Sequence, residues 1–250
     1  VGGWYRRGQE GGRGASVQSR SRGTQGGRVM VQGSPGGCLG GGLWRVQGDL
    51  QGAHFPNSFY GIGGDTPANA EEKYTARYVS VDVTAQRRLL PNLRAGPRLF
   101  TRLGTVTEPD SGGRIDRGVV PGADGGVTVG LGGSVFWDAR NNIYYPTSGS
   151  YAELVATLHS AAWGSDFTFG RLKTDLRGYR SVGPGVIAGQ VYTDAVIGDA
   201  PFQLLPLLGG ASRLRGYREG RFRDNVYWTA QVEYRFPLFW RLKGTAFASA

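Results

Sequence analysis

The alternation over residues 226–238 constrains the fold more than any other feature of the chain. Val226, Trp228, Ala230, Val232, Tyr234, Phe236 and Leu238 fall on one side of an extended backbone, and Tyr227, Thr229, Gln231, Glu233 and Arg235 fall on the other. A helix would spread these residues around its axis, so a period of two requires a strand with one apolar and one polar face. Residues 209–225, just before it, carry five arginines among glycines and a terminal Asn225. They offer almost no apolar face to bury, and Gly and Asn tolerate positive φ, so the segment reads as a loop. A basic loop thus runs directly into a two-faced strand.

The same period recurs upstream. Residues 127–138 place Val127, Val129, Leu131, Gly133, Val135 and Trp137 opposite Thr128, Gly130, Gly132, Ser134, Phe136 and Asp138. Residues 93–103 alternate Leu93, Ala95, Pro97, Leu99 and Thr101 with Arg94, Gly96, Arg98, Phe100 and Arg102. Pro91-Asn92 forms a tight turn, which makes this strand the antiparallel partner of a strand over 74–89. Further strands fall over 43–54, 151–160, 167–179 and 186–197, and 104–126 is a long polar loop. Roughly nine strands result, many of about ten residues, the length a tilted strand needs to cross a bilayer.

Composition agrees with this pattern. The 250 residues include 44 glycines and 12% aromatics, yet mean hydropathy is only -0.31. Strands with apolar residues at every second position give that combination, because half of each strand is polar. No run of 18 apolar residues exists, which excludes a helical membrane span. Tyr144, Tyr145, Tyr151, Trp228, Phe239 and Trp240 gather at strand ends, as interfacial girdles do. The expected fold is all-β: an antiparallel transmembrane β-barrel with long loops and a Gly/Arg-rich N-terminal segment. A soluble β-sandwich would also alternate, but long strands whose apolar faces include small Gly and Ala residues favour the barrel.

Residues 1–42 differ in composition from the rest, with Gly, Arg, Ser and Gln and almost no β-branched residues. Disorder, or translation out of frame, is expected there, with the barrel domain over 43–250. The tight Arg-Gly-Gly repeats with interleaved aromatics that would mark RNA binding are absent. The N-terminus also lacks the order of a signal peptide, so a mature or truncated chain is expected if the protein is exported.

The net charge of +10 raises a nucleic-acid reading. Its distribution points instead to a polar lumen, because Arg94, Arg98 and Arg102 occupy alternate positions of one strand. No nucleic-acid partner is expected. Cys38 is the single cysteine, and His54 and His159 stand far apart, so no disulfide, metal or cofactor is expected. No Gly-x-Ser-x-Gly elbow or His-Glu-x-x-His pair is present, and Gly130-Leu131-Gly132-Gly133 lies within a strand, so no catalytic residues are assigned. A passive pore, with Arg94, Arg98, Arg102, Arg171 and Arg177 lining an anion-favouring lumen, is the rival to any plugged barrel.

Three motifs carry a family resemblance. They are Leu214-Arg215-Gly216-Tyr217 with 220–225 and 231–237; Phe55-Pro56-Asn57-Ser58-Phe59-Tyr60-Gly61-Ile62-Gly63; and Asp138-Ala139-Arg140-Asn141-Asn142 with Pro146-Thr147-Ser148-Gly149-Ser150-Tyr151. In this order they resemble the bacterial surface antigen family, the BamA/TamA-type outer-membrane barrels. The resemblance implies a sixteen-stranded barrel in the bacterial outer membrane, preceded by periplasmic POTRA domains, that assists insertion or translocation of proteins. Its implied partners are outer-membrane lipids, unfolded outer-membrane or secreted proteins, and accessory assembly proteins. It also implies that Arg215 is a cation inserted into the lumen at a tip formed by Gly216 and Tyr217, that Glu233 is its wall carboxylate, and that Asp138, Arg140, Pro146 and Gly149 form a turn signature. The chain stops at Phe247-Ala248-Ser249-Ala250 inside an expected strand and shows no POTRA-like pattern before residue 43, so a fragment of such a protein is expected.

Overall fold

The computed structural model describes residues 2–5, 16–23, 27–210 and 220–250. Twelve strands form one antiparallel sheet: β1 (Gly2–Tyr5), β2 (Ser16–Gly23), β3 (Val29–Leu39), β4 (Trp44–Phe59), β5 (Glu72–Leu90), β6 (Leu93–Thr107), β7 (Gly125–Asp138), β8 (Gly149–His159), β9 (Phe169–Val182), β10 (Gly185–Gly198), β13 (Val226–Pro237) and β14 (Lys243–Ser249). Each pairs with its neighbour in chain order, except that β10 pairs with β13 across a long excursion. That excursion holds a separate two-stranded ladder of β11 (Leu207–Leu208) and β12 (Phe222–Arg223).

The sheet begins upstream of the expected domain boundary. The disorder expected over 1–42 does not extend to β3, whose register against β4 runs from Val29 opposite His54 to Leu39 opposite Trp44. The physical reason is that pairing uses main-chain N–H and C=O groups. A strand interrupted by Gly33, Pro35, Gly36 and Gly37 can therefore join a sheet without a sustained side-chain period.

From β5 onward the two faces separate as the alternation requires. The exposed face carries Val79 at 60% and Leu103 at 61% exposure, with Leu131, Leu154, Leu158, Leu172, Leu176, Val191, Trp228 and Val232. The opposite face is charged or polar: Asp82, Arg98, Asp175, Arg177, Gln190, Gln231 and Glu233 are half-buried there, with Thr128, Ser134 and Asp194 buried. A water-soluble barrel places its apolar residues inside. This sheet is inverted, as one bathed in hydrocarbon must be.

The two ends of the sheet also differ. Pro91-Asn92, Gly183-Pro184, residues 139–148 and residues 238–242 make short connections at one end. At the other, 60–71, 108–124 and 199–225 are each longer than any of these, and 160–168 is of similar length to 139–148. Two of the long loops fold over the polar face and build the apolar core there. Ile115, Val120 and Ala123 of the first, and Ala200, Phe202, Leu204 and Leu205 of the second, pack with Phe59, Tyr74, Ala76, Phe169 and Val196 of the wall.

Candidate functional site

Of the excursion 199–225, residues 199–210 and 220–225 are described, and they are anchored on the inner face of the sheet. Phe202, fully buried, meets the Phe59 ring edge-on at 5.1 Å and the Tyr74 ring at 5.2 Å. Beyond it, β11 and β12 close a stem, with Leu207 opposite Arg223 and Leu208 opposite Phe222. The stem then bonds to the β4–β5 loop, where Gly63 N–H donates to the Arg223 carbonyl at 2.8 Å.

Two arginines fasten this stem. Arg223, 3% exposed, donates through Nη1 to the Phe202 carbonyl and through Nη2 to the Tyr74 hydroxyl at 3.4 Å. Arg221 donates to the Thr66 hydroxyl at 3.0 Å and to the Thr66 carbonyl at 2.6 Å, and its guanidinium lies 4.9 Å from the Tyr60 ring centre. A planar guanidinium suits both tasks, because it stacks on aromatics while its fork of donors binds carbonyl oxygens.

The inner wall facing the stem carries paired charges. Arg98 on β6 forks onto Asp82 on β5, with Nε to Oδ1 at 2.9 Å. Arg171 on β9 grips Asp194 on β10 at 2.9 and 2.7 Å. Within single strands, Arg177 holds Asp175 at 2.9 and 2.5 Å, and Arg235 Nε donates to Glu233. Gln190 extends the network, donating to Asp175 at 2.9 Å and accepting from Gln231.

Of the lumen motif expected from sequence, Arg215, Gly216 and Tyr217 lie outside the described residues. Their stem residues and Glu233 are described, and Glu233 stands on the inner face of β13 beside Arg235.

The turn signature comes together at the short-turn end, between β7 and β8. Arg140 forks onto Asp138 with two contacts of 2.8 Å, and its guanidinium lies 4.8 Å from the Tyr151 ring centre. Those hydrogen bonds to the Asp138 carboxylate hold the Arg140 guanidinium above its ordinary pKa. Asn141 Oδ1 accepts from the N–H groups of Thr147 and Ser148, and Pro146 is buried. Gly149 has φ +101°, and a Cβ there would lie 2.2 Å from the Ala139 carbonyl oxygen, so no other residue fits.

Several residues of the site carried no role in the sequence. Arg221, Arg223, Phe202, Tyr74 and Asp194 are among them. The usable signal was the spacing Arg221-x-Arg223 in a segment otherwise read as solvated loop, which places both guanidiniums on one side of an extended stem. His159 is 2% exposed and stacks on Phe169 at 4.0 Å. Gly130 lies beneath it, where a Cβ would come within 2.3 Å of the imidazole.

An antiparallel meander with an apolar outer face, charge pairs inside and two long loops packed on its inner face defines a transmembrane β-barrel sheet of the outer-membrane type. The sequence model of the Omp85 superfamily domain matches residues 43–250, and the chain belongs to that superfamily. Among solved structures, it is similar to the crystal structure of BamA from Haemophilus ducreyi lacking POTRA domains 1–3. The TM-score is 0.72 at 16% identity, over 95% of this chain and 51% of that one. The chain therefore spans about half the length of that structure, and the likeness is one of fold. No curated protein matches the chain.

Proposed function

We propose that the chain is barrel wall and plug of a bacterial outer-membrane protein that assists insertion or translocation of other proteins. The observation that carries this reading is the stem of 199–225, seated on the inner wall by Arg221, Arg223 and Phe202. In this reading Arg215 is the inserted cation, Gly216 permits the tight tip, Tyr217 packs on the wall, and Glu233 supplies the carboxylate. A guanidinium binds a carboxylate through two parallel hydrogen bonds, which would set the loop's position as well as its energy. Its partners are outer-membrane lipids, unfolded outer-membrane or secreted proteins, and accessory assembly proteins. No enzymatic step is assigned.

The passive anion-favouring pore finds less support. Arg98, Arg171 and Arg177 are each answered by a carboxylate, so the wall presents much less positive potential than its arginine count suggests.

The test is reconstitution of the full chain in lipid vesicles, scored by protease protection of an unfolded outer-membrane protein added from outside. The chain is expected to accelerate insertion, and Arg215→Ala is expected to stay heat-modifiable on gels yet lose most of that acceleration. Equal acceleration by Arg215→Ala would remove the loop from the mechanism. A steady anion-selective conductance of the unaltered chain in planar bilayers, with no insertion activity, would favour the pore.

A further inference from the structure

A second feature of the lumen shares Arg223 with the stem but uses none of the wall pairs. Between β4, β5, β6 and the inserted loop lies a cavity of about 410 Å³ lined by three guanidiniums, those of Arg28, Arg102 and Arg223. Among the described residues, no Asp or Glu lines it. Arg28 donates through Nε to the Pro56 carbonyl at 2.9 Å and lies 4.7 Å from the Phe55 ring centre. Arg102 rests 3.8 Å from the centre of the Tyr78 ring. Arg223 is almost wholly buried, and its Nε has no hydrogen-bond partner.

The contrast with the rest of the wall gives this cavity its meaning. Arg98, Arg171, Arg177 and Arg235 each meet a carboxylate on the same or the next strand. Among the described residues, none of the three arginines here does. Arg102 also feels the Arg223 charge as a repulsion. Like charges gathered away from bulk water repel strongly, and a buried N–H without an acceptor carries a further cost. Both costs vanish when an anion enters.

We propose that this cavity is a binding site for a phosphate group. Three cations call for more negative charge than one carboxylate carries, and tetrahedral phosphate offers several oxygens to several guanidinium forks. Arg223 Nε, Arg102 and Arg28 supply the donors, and the rings of Phe55, Tyr74 and Tyr78 leave an apolar wall for the organic part of a phosphate ester. Free phosphate and the phosphate of a lipid headgroup share this chemistry.

The experiment titrates the full chain, folded in a zwitterionic detergent, with inorganic phosphate at constant ionic strength by calorimetry. A parallel titration uses micelles doped with phosphatidylglycerol. Saturable binding in one or both is expected, weakened about tenfold or more by Arg102→Gln and by Arg28→Gln, the scale of one lost charged hydrogen bond. Arg94→Gln, on the same strand but bonded to the Gly42 carbonyl, is expected to change it less than twofold. Arg102→Lys keeps the charge without the fork and should fall between. Binding seen only with phosphatidylglycerol and lost in Arg102→Gln assigns the site to a lipid headgroup, and binding of inorganic phosphate assigns it to solutes as well. Absence of saturable binding in both titrations of the unaltered chain, or equal binding by Arg102→Gln and Arg28→Gln, overturns the site.

Discussion

Phe202 and Arg223 show how single side chains hold the inserted loop. Phe202 is fully buried between two ring edges, so Phe202→Ala leaves a cavity as well as losing contact. It is expected to destabilise the folded barrel by about 3–5 kcal/mol, read as a shift in the urea midpoint at unchanged slope. At the opposite end of the sheet, the Asp138–Arg140 fork ties the start of the turn to itself, with the two side chains 22% and 9% exposed. Asp138→Asn keeps the shape and removes the charge. A loss of about 1–3 kcal/mol is expected in the same unfolding measurement. Gly149→Val should cost more, because both its φ and its approach to Ala139 exclude a side chain.

At the level of elements, the outward face of each strand is the testable surface. Leu131 stands in the middle of β7 and points away from the lumen. Leu131→Arg is expected to lower stability in lipid vesicles by about 2–4 kcal/mol if the residue lies near the bilayer midplane. Leu131→Ile should change it by less than about 1.5 kcal/mol. These faces were legible in the sequence, since residues 93–103, 127–138 and 226–238 each segregate as their alternation required. The strand ends were not. β4 runs on through Pro56 and Asn57 to Phe59, because the Asn57 side chain bonds the Tyr74 hydroxyl and the Ser58 N–H, satisfying locally what a turn would have used. β3 was missed because Gly33, Pro35, Gly36 and Gly37 break its side-chain alternation while the backbone still pairs. The stem was missed because its partners, Tyr74 and Thr66, lie about 150 residues away in sequence.

For the whole molecule, the asymmetry of the two ends predicts an orientation. Outer-membrane barrels keep short turns in the periplasm and long loops outside. Val119, in a long loop, and Ile143, in a short connection, are exposed at 64% and 65%. In a Cys38→Ser background, Val119→Cys should react with an impermeant maleimide on intact cells, and Ile143→Cys only after the outer membrane is opened. Labelling of Ile143→Cys alone in intact cells would reverse the orientation. The charge pairs of the wall have a further consequence for how such a sheet comes together. Arg177 with Asp175, and Arg235 with Glu233, are neighbours two residues apart on one strand, so each strand carries its counterion before any partner arrives. Arg98 with Asp82, and Arg171 with Asp194, cross between adjacent strands and form only when hairpins join. The first kind lets a strand leave water already neutral, and the second rewards the correct register once it is there, because a slip of one residue would turn one charge of the pair into hydrocarbon.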